Sequence, residues 1–250
     1  MVCASREWCR CRSTRGVPFA ALLPEAVLYA FGQYPLLLPA DEETINVLDH
    51  RVLIEFLRRR YNYRSYLEIG CRDDETFSVV GFETMVGVDP VSGGTLRMTS
   101  DEFFEQTMDS FDVIFIDGLH RGYQVKKDIQ NSLQILNPNG VIVCHDTLPR
   151  SATEAAESMA ESLHGAWTGD VWRGIVWARS QPSLRVATLN CDWGLTVIQP
   201  WPGGSRKPAV VSAEEAWTIP FGEYASRVGD ILEVITVREL EAWLHPPSAQ

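Results

Sequence analysis

A chain of 250 residues with 45% hydrophobic content is long enough to bury one large core of its own. Its net charge of -11 excludes a general affinity for nucleic acid, which requires a basic face to displace counterions from phosphate. The absence of any uninterrupted apolar run of about 18 residues argues against a membrane-spanning helix, and the expectation is a cytoplasmic protein that handles a neutral or cationic small ligand.

Along the chain, residues 1–16 read as a flexible tail. Their arginines before an apolar stretch imitate a targeting peptide, but Pro18, Pro24, Pro35, Pro39 and Glu25 interrupt that stretch. Cys3, Cys9 and Cys11 have no fourth ligand nearby, and Cys71, Cys144 and Cys191 sit in apolar surroundings as reduced core cysteines. Residues 17–64 read as a packing or lid segment. It ends in a helix opened by Asp41, with Ile45, Leu48, Val52, Phe56 and Leu57 at helical spacing.

From Ser65 the pattern changes. SYLEIGC (65–71), TMVGVDP (84–90), FDVIFID (111–117) and GVIVCHD (140–146) are short apolar runs that end in polar or acidic residues. Continuous apolarity implies burial on both faces, hence a parallel sheet covered by helices. Val125, Ile129, Leu133 and Leu136 form one face of a crossover helix that NPNG ends. SATE (151–154) matches a capping box for a following helix, and Asp170 is placed to cap another. LRVATLN (184–190) and GLTVIQP (194–200) are separated only by CDW, too few residues for a helical crossover, so they form an antiparallel hairpin. The expected fold is α/β, a Rossmann-like doubly wound, mostly parallel sheet spanning 65–200 and ending in that hairpin. A C-terminal loop and helical extension would occupy 201–250.

In open α/β sheets ligands bind outside the carboxyl ends of the strands. That edge collects Glu68, Gly70, Asp89, Asp117, His120, His145 and Asp146. After the first strand there is one glycine, Gly70, followed by two aspartates, so a pyrophosphate would be repelled there, and no G-K-[ST] of a P-loop occurs. A ligand with a ribose and a positive centre but no phosphate suits the acids. Asp89 is placed to accept hydrogen bonds from ribose hydroxyls, and Glu68 and Asp117 to hold an ammonium. S-adenosylmethionine has these groups.

YLEIGCRDDETF, VGVDP, MTSDEFF, FDVIFIDGLH and GVIVCHD, in this order, resemble the motifs of class I S-adenosylmethionine-dependent methyltransferases over roughly residues 45–200. The resemblance implies that the loop at Gly70, with Arg72, Asp73 and Thr76, approaches the cofactor, that Asp89 binds ribose, and that Thr99 to Asp101, including Ser100, borders the adenine. The loop departs from the family's glycine-rich form. Asp117, His120 and Asp146 stand where metal-dependent sugar O-methyltransferases of the macrolide-tailoring type carry a metal-ligating aspartate, a histidine base and a second aspartate. A further resemblance is to the methyltransferases that cap methylmannose polysaccharide precursors in mycobacteria. The resemblance also implies a homodimer, with the apolar N-terminal segment as its contact.

These residues imply Mg²⁺ between Asp117 and Asp146, acidifying a hydroxyl of a small-molecule or oligosaccharide acceptor. The third protein ligand is open among His145, Glu42 and Glu43. The base is His120, with His145 as the alternative. Tyr123, Trp172, Trp193 and Trp201 are candidates to line a sugar-sized pocket. Two other functions stay open: a catechol-type O-methyltransferase, and a non-catalytic S-adenosylmethionine-binding protein.

Overall fold

The computed structural model describes residues 48–161, 167–201 and 207–244. All of them belong to the second of two compact units, Leu38–Gln250. The expectations for residues 1–47, including the tail, its cysteines, the dimer contact, Asp41, Glu42 and Glu43, lie outside the described residues.

Helix α1 (His50–Tyr61) begins later than the periodicity from Asp41 suggests. Its N-cap is Asp49, whose carboxylate accepts the Val52 N–H at 3.0 Å, while Arg58, Arg59 and Arg60 face the negative end of the helix dipole. Next come β1 (Ser65–Ile69), β2 (Thr84–Val88), α2 (Ser100–Gln106) and β3 (Phe111–Ile116). Then follow α3 (Gly122–Ile135), β4 (Leu136–Cys144), α4 (Val171–Arg179), β5 (Leu184–Leu189) and β6 (Leu195–Pro200). The chain continues through α5 (Phe221–Ser226), α6 (Val228–Ile231), β7 (Val234–Ile235) and α7 (Val237–Leu244).

Among the described residues the strands form one sheet in the order β2-β1-β3-β4-β6-β5-β7. The first four are parallel neighbours, β6 runs antiparallel to both β4 and β5, and β7 lies parallel to β5. The Rossmann-like architecture and the hairpin are as read from the sequence. β7 adds an edge strand to what was expected as a helical extension.

Alternation along β3 shows the double winding. Ile114 and Ile116 enter a core with Val125 and Ile129 of α3 and Trp172 and Ile175 of α4. Phe115 points the other way and stacks on His50 of α1, ring centres 5.3 Å apart.

Several local expectations change. No helix joins β1 to β2; the link is made of turns and begins with Arg72 and Asp74 in left-handed backbone (φ 51° and 63°), through which a helix does not propagate. NPNG does not follow the helix as a free turn; it bulges within β4, whose pairing with β3 shifts between Phe111↔Leu136 and Val113↔Val141. SATE does make capping-box-like contacts, with Ser151 Oγ accepting the Glu154 N–H at 3.2 Å, but Glu154 reaches back to the Arg150 N–H and the segment is a turn. Asp170 makes no side-chain cap on its own helix. Its carboxylate accepts the N–H of Gly122 at 2.8 Å and so caps α3. Helix α2, a helical stretch between strands that the sequence reading did not locate, carries a complete capping box between Thr99 and Glu102.

Trp172 is a core residue, 1% exposed, with its ring 4.1 Å from that of Tyr224. Trp172 is therefore no pocket aromatic. Trp201 lies against the buried Arg185 guanidinium, which also lies over the ring of Trp243. A second buried arginine, Arg179 of α4, pairs with Glu233 at 2.8 Å, the two side chains 1% and 6% exposed. Glu233→Ala removes a counter-charge from an enclosed guanidinium and is expected to destabilise the fold by about 3–5 kcal/mol in denaturant unfolding. A loss below about 1 kcal/mol would show that the pair contributes little.

Candidate functional site

The parallel ladder continues past the strand ends. Gly70 N–H donates to Val88 O (2.9 Å), Asp117 N–H to Ile69 O (2.8 Å) and His145 N–H to Ile116 O (3.1 Å). Each strand exit is thereby held in step with its neighbour, and Gly70, Asp89, Asp117 and His145 come to one edge. Gly70 has φ +91°, and a Cβ there would stand 2.2 Å from Asp117 O and 2.5 Å from the Gly118 Cα. Only glycine lets the β1 exit run this close to the β3 exit.

Asp117, His120 and Asp146 converge, with one ligand atom from each lying within 4.8 Å of the others. His120 Nε2 stands 3.2 Å from Asp146 Oδ2 and 3.7 Å from Asp117 Oδ1. His145 Nδ1 faces the same pair, 3.3 Å from Asp117 Oδ1 and 3.7 Å from Asp146 Oδ2. The ring of Trp167 stacks on His120, centres 5.0 Å apart. His120 is the more accessible imidazole, with 21% of its side chain exposed against 11% for His145.

The electrostatics follow from these contacts. Burial would raise Asp117, but hydrogen bonds from His120 and His145 outweigh it and hold the carboxyl well below its usual range. For Asp146 burial wins over the attraction of His145 and His120 and pushes the carboxyl up to about 6. Burial disfavours charge on both imidazoles, yet the hydrogen bonds with Asp117 and the field of Asp146 raise His120, and Asp117 and Asp192 raise His145 well above its ordinary value. Each of the two carboxylates thus faces both imidazoles.

Two participants were not legible in the sequence. Asp192, at the hairpin tip, has Oδ2 3.3 Å from His145 Nε2 and 2.6 Å from His50 Nδ1, and it also accepts the His50 N–H at 2.8 Å. His50 passes the network on to Thr76, with Nε2 2.8 Å from the Thr76 hydroxyl. His50 and Asp192 are 142 positions apart, and neither belongs to a local motif that would have drawn them together.

The remaining candidates lie as follows. Asp89 accepts three backbone N–H groups, from Arg72 (2.9 Å), Val91 (2.7 Å) and Ser92 (2.9 Å). Burial raises its carboxyl, but these bonds prevail and lower it. Ser92 Oγ to Arg72 O, and Gly94 N–H to Asp74 Oδ1 at 2.6 Å, also fasten the loops after β1 and β2 together. Ser100 opens α2 and accepts a bond from Gln124 Nε2 at 3.3 Å. Tyr123 is exposed, and Trp193 carries the Arg150 guanidinium over its ring at 4.6 Å.

Glu68 is 1% exposed and accepts the Tyr66 hydroxyl at 2.6 Å. Burial pushes its carboxyl up to about 8, the Tyr66 bond opposes this and Asp117 adds to it. The folded state therefore retains a proton that the unfolded chain releases near the ordinary glutamate value, so stability falls as pH rises towards 8. Glu68→Gln should match the wild type in melting near pH 4 and exceed it by on the order of 2 kcal/mol at pH 8. Parallel stability curves across that range would contradict this protonation state.

Residues 75–147, under a third of the chain, match a family model described as a methyltransferase domain. No curated protein matches the chain. Among solved structures it is similar to the SAH-bound methyltransferase PaMTH1 of Podospora anserina, with 16% identity, 75% of this chain and 90% of that one covered, and a TM-score of 0.46. It is also similar to the Bacillus cereus O-methyltransferase in complex with SAH (13%, 70% and 89%, 0.44) and to the SAM complex of TomG from Streptomyces achromogenes, involved in tomaymycin synthesis (14%, 73% and 94%, 0.46).

Proposed function

We propose that this protein is an S-adenosylmethionine-dependent O-methyltransferase that acts, with Mg²⁺, on an aliphatic hydroxyl of a sugar or glycoside. The observation that carries the proposal is the convergence of Asp117, His120 and Asp146 at the exits of adjacent parallel strands, two carboxylates and an imidazole, inside the segment that matches a methyltransferase domain.

The residues fit both groups in kind. An ionised carboxylate has about four acceptor sites, so Asp89, with three taken by backbone N–H groups, keeps one for a ribose hydroxyl. Asp117 supplies negative charge for an ammonium, whereas Glu68, enclosed and protonated, supplies none, and the two aspartates after Arg72 disfavour any phosphate-bearing nucleotide. Asp117 and Asp146 are hard oxygen donors of the kind Mg²⁺ takes one or two at a time. Binding of a divalent cation there would be linked to proton release from the neighbouring imidazoles.

When bound, the two supply a methyl group on a positive sulfur and a Lewis acid near the acceptor. His120 takes the acceptor's proton at Nε2, being the imidazole with the larger opening to solvent. Trp167 keeps the His120 ring from rotating, and the strand ladder keeps Asp117 fixed to the Gly70 loop. This alignment accounts for much of the expected rate gain.

The test is a transfer assay with isotopically labelled S-adenosylmethionine against a panel of sugars, glycosides and phenols, before and after EDTA. Labelled sugar or glycoside, abolished by EDTA and restored by Mg²⁺, is the expected outcome. Labelling confined to phenols would transfer the assignment to a catechol-type enzyme, and EDTA-resistant transfer would remove the metal.

A further inference from the structure

The contacts of His50, His145 and Asp192 form a second group beside the carboxylate pair, and nothing in the methyl-transfer reading requires it. The three residues come from the first turn of α1, the exit of β4 and the tip of the β5–β6 hairpin. The hairpin tip is built into place. Leu148 N–H donates to Trp193 O at 2.8 Å, and a Cβ on Gly194 would stand 2.4 Å from the Leu148 Cβ. The α1 start is equally fixed, by the Asp49 cap and by the His50 N–H bond to Asp192.

We infer that His50 Nδ1, His145 Nε2 and the Asp192 carboxylate form a site for a divalent transition-metal ion such as Zn²⁺ or Co²⁺. One ligand atom from each residue lies within 4.8 Å of the others. A tetrahedral ion with bonds of about 2.0–2.1 Å holds its donor atoms roughly 3.3 Å apart. Asp192 Oδ2 is 3.3 Å from His145 Nε2, at that spacing already, and 2.6 Å from His50 Nδ1, a contact that has to open.

An independent observation points the same way. His145 Nε2 is enclosed and makes no well-directed hydrogen bond, although it lies this close to Asp192. A buried ring nitrogen in that condition costs free energy unless an ion or proton satisfies it. His50 can take the outer-shell arrangement of a metal-bound imidazole: Nδ1, which now bonds Asp192, would give up its hydrogen to ligate, and Nε2, 2.8 Å from the Thr76 hydroxyl, would then donate to it. Two imidazoles and one carboxylate select a borderline transition metal over Mg²⁺, and three protein ligands leave a fourth position open. With Nε2 engaged here, His145 presents Nδ1 to Asp117, so the site also orients a ring that faces the carboxylate pair.

The test is titration of the full-length, chelator-treated protein with Co²⁺, followed by visible absorption and by the shifted imidazole N–H resonances in proton NMR. One Co²⁺ should bind, and binding should persist in an Asp117→Asn/Asp146→Asn double variant, with resonances from two histidines. His50→Gln and Asp192→Asn, checked for folding by circular dichroism, should each weaken it about tenfold or more. The inference is overturned if Co²⁺ does not saturate the wild type, if the double variant loses it, or if the double variant shows one shifted histidine or none. Equal affinity in His50→Gln and wild type would overturn it as well. S-adenosylmethionine binding is measured separately without metal, so failure of the methyl-transfer reading leaves this result standing, and the reverse.

Discussion

His120→Ala is expected to lower kcat for methyl transfer by about 10²–10⁴ while leaving the affinity for S-adenosylmethionine close to that of the wild type. The side chain projects from the loop between β3 and α3, and its Nε2 faces Asp146 and Asp117 while the ring lies on Trp167. Its loss removes the proton acceptor but none of the strand-end contacts that hold Gly70, Asp89 and Asp117. Steady-state kinetics with a calorimetric affinity for each variant separates the two effects. Activity retained in His120→Ala and abolished in His145→Ala would transfer the base to His145, whose Nδ1 lies 3.3 Å from Asp117.

Gly70→Ala carries the largest expected structural effect. The residue sits at φ +91°, and the added methyl would stand 2.2 Å from Asp117 O, where it meets backbone and not a side chain that can turn away. The left-handed conformation costs roughly 1–2 kcal/mol for any L-residue. Displacing the β3 exit adds to that, for a total of about 3 kcal/mol or more. In a chain of this size such a loss lowers Tm by roughly 6–12 °C. Because the displaced group is Asp117 itself, the affinity for S-adenosylmethionine should fall in the variant molecules that remain folded. Unchanged melting and unchanged affinity together would mean that the β1 exit is free to move away from β3.

The strands were legible because each is a continuous apolar run closed by a polar residue, and the hairpin because CDW is too short for a crossover. The acidic edge was legible for the same reason, since a strand's last residue in a parallel sheet has only one place to go. What was not legible depends on partners distant in the chain or on elements too short to carry a period. β7 has two residues, and its pairing to β5 is set by the sheet, not by its own pattern. Asp170 precedes a helix, as a cap should, yet its carboxylate serves Gly122 in α3. Asp192 looks like an ordinary turn residue until the hairpin folds against the segment after β4 and brings it to His145 and His50. Trp172 is indistinguishable in sequence from a pocket aromatic, and its place in the core is fixed by Tyr224, far along the chain. Helix α2 is the one omission with a local signal, because Thr99 and Glu102 spell a capping box.

The central claim, that the acidic edge formed by Asp89 and Asp117 receives S-adenosylmethionine, is tested most directly by titration calorimetry of the wild-type protein with that cofactor. The expected result is saturable binding at one site per chain, lost or strongly weakened in Gly70→Ala. No heat and no saturation at millimolar cofactor would contradict the account.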